Sequence, residues 1–224
     1  MADRAVIFDL DGTLVDTAPD LMRATNHVLE SLGRGSVGLH EVRDFTGHGA
    51  RALITRGLTA TGGLPEGFDV EPHYQSFVTY YAEHLAVDSR PFPGLISLLD
   101  RLRSDGTALG VCTNKLEWLS TRVLQALGMS KYFGSVVGPD TLGIAKPDPR
   151  PFHESVARLG LDSPRAIMVG DSETDVLTAR AAAVPVIGVT FGYTAKPVSE
   201  YKPDRVITHF DEGFAAIQDL FANF

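Results

Sequence analysis

A short apolar run close to the start of the chain ends in two aspartates, and this combination constrains the fold most. Residues 6–8 have the length and composition of a strand buried on both faces of a parallel sheet. Asp9 and Asp11 follow two positions apart, and alternate side chains on an extended backbone point the same way. Gly12 then permits a sharp turn that leaves the following backbone N–H groups free to meet an anion. The stretch predicts a buried first strand with an acidic site at its carboxyl end.

Two carboxylates as close as those of Asp9 and Asp11 need a cation nearby. Each would raise the pKa of the other unless a positive charge lay between them. Oxygen ligands of this kind suit a hard divalent ion, and Mg²⁺ fits best. In the alternative interpretation, residues 9–13 are only a polar exit from the strand, with Asp and Gly serving as turn formers. A metal site here therefore requires partner residues from the rest of the chain.

Beyond residue 87 the hydrophobic pattern alternates between short strands and helices. Strands are predicted at residues 109–113, 135–138, 166–170, 186–190 and 205–208. Helices are predicted at residues 95–102, 116–127, 151–159, 174–183 and 212–222. This alternation indicates an α/β fold, a doubly wound parallel sheet covered by helices on both faces. Ligands of such sheets bind beyond the carboxyl ends of the strands, near the point where strand order reverses.

Residues 16–86 have apolar side chains at helical spacing and no convincing strand. A helix is predicted to begin within residues 16–20 and to end at Gly33, and others are predicted at residues 39–45, 50–58 and 71–85. This block is therefore predicted to be an all-helical insertion. The predicted domains are an α/β core of residues 1–15 and 87–224 and a helical cap domain of residues 16–86.

The charge balance argues against several classes of partner. The 224-residue chain has a formal net charge of −8, which disfavours nucleic acid and anionic membrane surfaces. No apolar stretch approaches the length of a membrane span. Because a strand begins by residue 5, no room remains for a signal peptide, and a cytoplasmic protein is expected. The single cysteine, Cys112, cannot form an intrachain disulfide and is expected in the core.

Two further polar clusters lie at loops that are expected to face the aspartates. Thr113 and Asn114 directly follow a predicted strand, where a hydroxyl and an amide can donate to phosphate oxygens. They could equally cap the next helix. Lys146 lies in the loop 146–149, whose two prolines hold the chain extended. A fixed ammonium there would neutralise an anionic substrate and keep Asp9 ionised, although a lone lysine can also be a solvated surface charge.

A third cluster, residues 170–175, follows another predicted strand. Asp171 lies at the strand end and can reach the same metal ion as Asp9. Asp175 comes one helical turn later, where it can hold a metal-bound water or orient Lys146. Asp and Ser also serve as helix caps, so a plain capped helix start is the alternative. Metal ligation and capping are compatible with each other.

A glycine-rich stretch in the helical insertion is the best candidate for substrate contact. Gly47, His48 and Gly49 come directly before a predicted helix, where glycines leave backbone N–H groups free for an anion. Arg51 could hold a carboxylate through two parallel hydrogen bonds. The alternative is a glycine-rich connector with a solvated arginine. The spacing also mimics a dinucleotide-binding fingerprint, which is rejected because no strand precedes it.

Taken in order, these motifs resemble the haloacid dehalogenase superfamily of phosphohydrolases, and the resemblance covers essentially the whole chain. Its four motifs match residues 9–13, 113–114, 146–147 and 170–175. The chain looks most like the phosphoglycolate phosphatases, with which it shares residues 47–49, 91–94, 146–149 and 192–193. Relatives usually have glycine where this chain has Ala183, so a different or slightly strained helix end is expected there.

The resemblance implies a Rossmann-like core with a C1 cap and a phosphatase mechanism. Asp9 would attack phosphorus to form an aspartyl-phosphate, and Asp11 would protonate the leaving oxygen and then activate water. Mg²⁺ would be bound by Asp9, the backbone carbonyl of Asp11 and Asp171, with Asp175 in support. The expected phosphate ligands are Thr113, Asn114 and Lys146. The expected substrate-binding residues are Gly12, Thr13, Gly47, His48, Gly49 and Arg51.

The implied partner is a small phosphorylated metabolite, with 2-phosphoglycolate as the favoured substrate. Another small-molecule phosphatase, a pyrophosphatase and a sugar-phosphate mutase remain alternatives within the superfamily. A phospho-accepting receiver module is the alternative that is not an enzyme, although such modules need neither the helical insertion nor Asp11. The oligomeric state is left open between a monomer and a homodimer.

Overall fold

The computed structural model describes residues 3–161, 165–194 and 196–223. Its strands are β1 (Arg4–Phe8), β2 (Val15–Asp16), β3 (Arg90–Pro91), β4 (Ala108–Cys112), β5 (Ser135–Val137), β6 (Arg165–Gly170), β7 (Val186–Val189) and β8 (Arg205–Ile207). Its α-helices are α1 (Ala18–Ser31), α2 (Leu39–Phe45), α3 (Ala50–Ala60), α4 (Glu71–Glu83), α5 (Leu95–Ser104), α6 (Glu117–Ala126), α7 (Pro139–Leu142), α8 (Arg150–Arg158), α9 (Glu173–Ala181) and α10 (Gly213–Ala222).

Six of the strands form one parallel sheet, in the order β5-β4-β1-β6-β7-β8. The strand order reverses at β1, which pairs with β4 on one side and β6 on the other. The carboxyl ends of these three strands therefore lie side by side, which is where ligands of such sheets bind. This topology confirms the predicted doubly wound α/β fold.

The alternating side chains of β1 enter two separate cores, one on each face of the sheet. Val6 and Phe8 belong to a cluster with side chains of α5 and α10, among them Leu99. Ala5 and Ile7 belong to a cluster with side chains of α8 and α9. All four β1 side chains are fully buried, as expected for a central parallel strand. Cys112 is buried in the second cluster, as predicted.

The helices α1 to α4 follow β2 and precede β3, and they enclose a third hydrophobic cluster. Leu119 and Val123 of α6 belong to the same cluster, so the helical layer packs against the sheet-bearing part of the chain. The two crossings between these parts pair as an antiparallel ladder, Val15 with Pro91 and Asp16 with Arg90. This two-residue ladder was not predicted, because it is too short to leave a periodic pattern. The division at residues 16 and 86 remains a prediction.

All the predicted helices are present with ends shifted by at most two residues, and α7 was not predicted. Ala183 adopts φ = +56° just after α9, so an alanine occupies a left-handed position at the helix end where strain was expected. The Val184 N–H donates to the Ala179 carbonyl at 3.0 Å, which closes the helix end in spite of that conformation. Across the described parts of the chain, none of the helices combines the length and hydropathy needed to cross a bilayer.

Candidate active site

The polar motifs meet at one edge of the sheet, around a cavity of about 440 Å³. Asp9 and Asp11 follow β1, Thr113 and Asn114 follow β4, and all four line this cavity. The residues of the α2–α3 loop, 46–49, and the helix α4 line it from the opposite side. The structure therefore brings the strand-end motifs and the glycine-rich stretch of the helical insertion to a single place.

Three buried carboxylates form the acidic centre of the site. Asp9, Asp171 and Asp175 each offer an oxygen, and these three oxygens lie within 4.8 Å of one another. The exposed fractions of these residues are 6%, 2% and 0%. Asp9 and Asp171, predicted from the sequence to share an ion, are thus close enough to do so. The side chain of Asp11 does not belong to this group and points to other partners.

Burial raises the pKa of two carboxyl groups in this centre, those of Asp9 and Asp171. Loss of solvent raises the pKa of Asp9 from 3.8 to about 7, with Lys146 acting against the shift and Asp175 adding to it. The pKa of Asp171 is also raised well above 3.8, first by burial and then by repulsion from Asp175 and Asp9. Both shifts arise first from burial, which disfavours the charged form of a carboxyl group, and then from repulsion between neighbouring carboxylates. A bound cation would favour the charged forms.

The carboxylates fit a hard divalent ion. Asp9 Oδ1 is buried and has no hydrogen-bond partner among the described residues, although Lys146 Nζ lies 2.9 Å away outside hydrogen-bond geometry. An orphaned carboxylate oxygen next to two further carboxylates is the donor set that Mg²⁺ prefers. The residues present are therefore compatible with the predicted magnesium ion.

Lys146 forms the buried cationic part of the site. Its Nζ lies 2.6 Å from Asp175 Oδ1 as well as 2.9 Å from Asp9 Oδ1. Burial alone would lower the pKa of Lys146, but the attraction of Asp175 and Asp9 outweighs burial and raises it. Lys146 therefore remains an ammonium ion, and the alternative of a solvated surface lysine does not apply to a residue that is 5% exposed.

Asp175 organises the loop after β6. Its Oδ2 accepts hydrogen bonds from the backbone N–H groups of Asp171 (3.2 Å) and Ser172 (3.1 Å) and from the Ser172 hydroxyl (2.7 Å). Its Oδ1 accepts a hydrogen bond from Lys146. Gly170 makes room for this arrangement, because a Cβ at that position would overlap the Asp175 side chain. Helix capping and the organisation of the site coexist here, as the sequence allowed.

Gly12 and Thr13, expected to bind substrate, are in contact with Asp171. The Thr13 hydroxyl donates to Asp171 Oδ1 at 2.8 Å. Gly12 has φ = +86°, and a Cβ there would lie 2.6 Å from Asp171 Oδ2. The backbone N–H of Tyr193 donates to the same Oδ2 at 2.6 Å. These contacts fix the orientation of Asp171 rather than leaving Thr13 free for substrate.

Asp11 has a cationic partner that sequence reasoning missed. Lys115 Nζ lies 3.1 Å from both carboxylate oxygens of Asp11, and the Thr17 hydroxyl donates to Asp11 Oδ1 at 2.7 Å. Lys115 also lies over the ring of Tyr81, 4.3 Å from its centroid. Its place directly after Thr113 and Asn114 was the signal for a role in the site, but its partner could not be read from that position.

Asn114 contacts different groups from those expected. Its Nδ2 donates to the carbonyls of Gly47 and Lys146, both at 3.2 Å, and its Oδ1 accepts from the Lys146 N–H at 2.8 Å. Asn114 thus links the α2–α3 loop to the Lys146 loop, and its donation to a phosphate oxygen stays a prediction. Thr113 is buried, and its oxygen accepts from the Lys115 N–H at 3.2 Å, which leaves its proton available for a ligand. Neither residue caps α6, whose N-cap is Leu116.

Arg51 is already paired, although it lines the cavity. Its guanidinium makes two hydrogen bonds to Glu71, at 2.9 and 3.0 Å, and lies 3.6 Å from the centroid of the Tyr74 ring. The expected two-point grip on a substrate carboxylate is therefore occupied by Glu71, which α4 brings next to α3. Gly47 and Gly49 have φ of +99° and +82°, and they lie on the cavity wall together with the exposed His48.

The chain is similar to known proteins over nearly its whole length. The model of the family described as haloacid dehalogenase-like hydrolase matches residues 6–189. A phosphoglycolate phosphatase of Agrobacterium fabrum is 46% identical over 205 residues, covering 91% of this chain and 88% of that protein. A phosphoglycolate phosphatase of Mesorhizobium japonicum is 42% identical over 214 residues, covering 94% and 93%. The crystal structure of a predicted phosphoglycolate phosphatase from Haemophilus somnus has a TM-score of 0.87 at 30% identity and covers 95% of this chain and 97% of that one.

A doubly wound sheet with carboxylates and a buried lysine at its switch point suits the binding and transfer of phosphoryl groups. The chain belongs to the haloacid dehalogenase-like hydrolase family. Within that family it is a phosphatase, and its similarity is to proteins named phosphoglycolate phosphatase.

Proposed function

We propose that this phosphatase hydrolyses 2-phosphoglycolate to glycolate and phosphate, with Mg²⁺ as cofactor and through an aspartyl-phosphate on Asp9. The observation that carries the proposal is the environment of the Asp9 carboxylate. It lines the cavity, has one oxygen without a hydrogen bond among the described residues, and lies next to Lys146 and two further carboxylates. The names of the similar proteins support the choice of substrate.

Asp9 is the nucleophile in this proposal. One of its oxygens attacks phosphorus while the bond between phosphorus and the ester oxygen breaks, which leaves an acyl phosphate on Asp9. Lys146 holds Asp9 in place and offers positive charge to the phosphoryl oxygens. The Thr113 hydroxyl donates to one of those oxygens. Asn114 positions Lys146 through its contacts with the Lys146 backbone.

Asp11 is the acid and base in this proposal. It gives its proton to the ester oxygen as glycolate leaves, and it then takes a proton from the water that attacks the acyl phosphate, which releases phosphate and restores Asp9. The Thr17 hydroxyl and the Lys115 ammonium hold the Asp11 carboxyl at a fixed orientation. A fixed orientation favours transfer of the proton to the ester oxygen while the bond of that oxygen to phosphorus breaks.

Asp9, the backbone carbonyl of Asp11 and Asp171 would hold Mg²⁺, and Asp175 would support the loop that carries Asp171. When bound, the ion offsets the negative charge that builds up between the nucleophile and the phosphoryl oxygens. Thr13 and the Tyr193 N–H keep Asp171 aimed at this position.

The helical layer over the cavity is proposed to select the substrate and to exclude water during the reaction. The Gly47 carbonyl accepts a hydrogen bond of 3.2 Å from Asn114, which is one of the contacts between this layer and the edge of the sheet. A cytoplasmic location and a monomeric or homodimeric state remain predictions alongside this function.

A phosphate-release assay over a panel of metabolites, with and without Mg²⁺, tests the proposal. We expect release from 2-phosphoglycolate to exceed release from sugar phosphates and pyrophosphate, and to be lost on chelation of the metal. Equal rates on sugar phosphates would remove the substrate assignment but keep the phosphatase. A protein that accepts phosphate and does not release it would instead behave as a receiver module.

A further inference from the structure

Among the residues that the structure describes, one arginine, one lysine and one histidine line the cavity: Arg51, Lys115 and His48. Arg51 and Lys115 each contact both oxygens of one carboxylate, but they differ in how far they are exposed to solvent. Arg51 is engaged by both oxygens of Glu71, and its side chain is 52% exposed. Lys115 is 8% exposed and is held by the Asp11 carboxylate, itself also bound to Thr17. Lys115 is therefore the less solvated of the two charges and the one next to the reacting groups.

A second observation points to a ligand at the same place. Tyr81 lines the cavity, its ring lies under the Lys115 ammonium, and its residue is 1% exposed. The Tyr81 hydroxyl is buried without a hydrogen-bond partner among the described residues. A buried hydroxyl without a partner is costly to maintain unless a ligand satisfies it. An ammonium over the ring of a tyrosine whose hydroxyl has no partner can form a recognition site for a carboxylate.

We propose that Lys115, with the hydroxyl of Tyr81, binds a carboxylate carried by the substrate on the carbon next to its phosphate ester, and that this contact determines specificity. The proposal rests on the phosphatase activity proposed above and names the residues that select its substrate. It replaces Arg51, the residue that the sequence suggested for this role.

The positions of the groups support this assignment. Asp11 must lie against the ester oxygen to protonate it, and Lys115 Nζ is 3.1 Å from the Asp11 carboxylate. In a phosphorylated 2-hydroxy acid, the carboxylate begins two bonds from that same ester oxygen. An ammonium adjacent to Asp11 can therefore reach the carboxylate while it stays close to Asp11. A lysine has three N–H donors, enough to serve both partners.

Charge balance leads to the same residue. The phosphoryl end of the substrate meets Lys146, which already faces Asp9 and Asp175. A carboxylate enclosed in the cavity would remain uncompensated unless another cation faced it, and burial of an unpaired carboxylate is strongly unfavourable. While Asp11 carries the proton that it donates to the ester oxygen, Lys115 supplies that charge and leaves Lys146 with the phosphate.

The test compares two substrates that differ in the carboxylate, 2-phosphoglycolate and ethyl phosphate, for the full chain with Mg²⁺. The measured quantity is kcat/KM for 2-phosphoglycolate divided by kcat/KM for ethyl phosphate. Any effect of a substitution on Asp11 that is common to both substrates cancels in this ratio. In Lys115→Met this ratio should fall by about 10- to 100-fold, the usual effect of a lost charged hydrogen bond. In Tyr81→Phe it should fall by about 3- to 10-fold, and in Lys115→Arg it should be partly restored.

Arg51→Met is the matched control, because Arg51 also carries a positive charge at the cavity wall. The ratio of this variant should stay within about threefold of the wild-type ratio. A Lys115→Met ratio equal to the wild-type ratio would overturn the inference, even if both activities fell together, because Lys115 would then only position Asp11. A wild-type enzyme that prefers ethyl phosphate would overturn the proposed substrate as well. Tyr81→Phe retains the ring and decides the question if Lys115→Met does not fold.

Discussion

Tyr193 joins Asp171 to Asp16 through two of its own hydrogen bonds. Its backbone N–H donates to Asp171 in the acidic centre, and its hydroxyl donates to Asp16, which lies in the first crossing to the helical layer. Arg43 of α2 pairs with the second oxygen of Asp16 at 2.8 Å. Gly192 makes the close approach possible, because a Cβ there would overlap the Asp171 side chain. One residue therefore connects a predicted metal ligand to the base of the helical layer.

Tyr193→Phe should weaken this connection while it leaves the Asp171 contact intact. The buried hydroxyl also accepts from the Ala18 N–H at 2.9 Å, so its removal leaves two groups without a partner. We expect the free energy of unfolding to fall by about 1–3 kcal/mol. We also expect kcat/KM to fall by about tenfold, with Mg²⁺ affinity nearly unchanged. Urea unfolding, phosphate release and magnesium titration measure the three quantities.

Tyr201→Phe is the control for that variant, since the Tyr201 hydroxyl makes no hydrogen bond within the described residues. Its unfolding midpoint should match that of the wild type. A Tyr193→Phe protein as stable as this control would show that the link between Asp171 and Asp16 contributes nothing.

Asp9→Asn should abolish turnover in a folded protein. The amide keeps the size of the carboxylate but is a poor nucleophile, so we expect phosphate release to fall by at least about 1,000-fold. Lys146 retains its contact with Asp175, which limits the effect on folding. Circular dichroism and thermal unfolding check that the fold persists. Near-normal release by this variant would rule out the aspartyl-phosphate scheme.

The convergence of the site could be predicted because of one geometric fact. The carboxyl ends of parallel strands lie at the same edge of a sheet, so motifs that follow strands must meet. Asp9, Thr113 and Asp171 met this condition in the sequence, and the order of β1, β4 and β6 places them side by side. The fold class followed from the same alternation of strands and helices.

The partners of individual side chains could not be predicted in this way. Lys115 and Asp11 are 104 positions apart, and nothing in either segment indicates that they pair. Arg51 was assigned to a substrate carboxylate because the packing of α3 against α4, which brings Glu71 to it, has no signature in the sequence. Local patterns therefore located the site, whereas pairing within it depends on how the helices pack.

Ala183→Gly should stabilise the protein. Ala183 is exposed and has φ = +56°, a conformation that costs an alanine about 1–2 kcal/mol and a glycine almost nothing. The larger backbone entropy of glycine in the unfolded chain offsets part of this difference. The free energy of unfolding should therefore rise by about 0.5–1 kcal/mol. Ala157→Gly is the matched control, because Ala157 is exposed and lies within α8. The free energy of unfolding of this variant should fall by about 1 kcal/mol. Urea unfolding of the two variants should therefore move in opposite directions, and a loss in both would refute the strain at Ala183.

The metal-free protein should lose stability as the pH rises from about 4 to 7. Asp9 has its pKa raised from 3.8 to about 7 by burial, and the pKa of Asp171 is raised as well. In this range the folded protein retains protons that the unfolded chain has already released, so each step up in pH favours unfolding. Lys146 does not contribute to this slope, because its pKa is raised and it stays charged throughout.

Mg²⁺ should replace those protons, and its stabilising effect should therefore be small at pH 5 and large above pH 7. The measurement is the unfolding temperature as a function of pH, once with a chelator and once with Mg²⁺. In Asp171→Asn one of the raised carboxylates is gone, so the slope with chelator should flatten and the response to Mg²⁺ should shrink. A wild-type profile that rises between pH 5 and 7 with chelator present, or a magnesium response that is the same at both pH values, would contradict the proposed acidic centre.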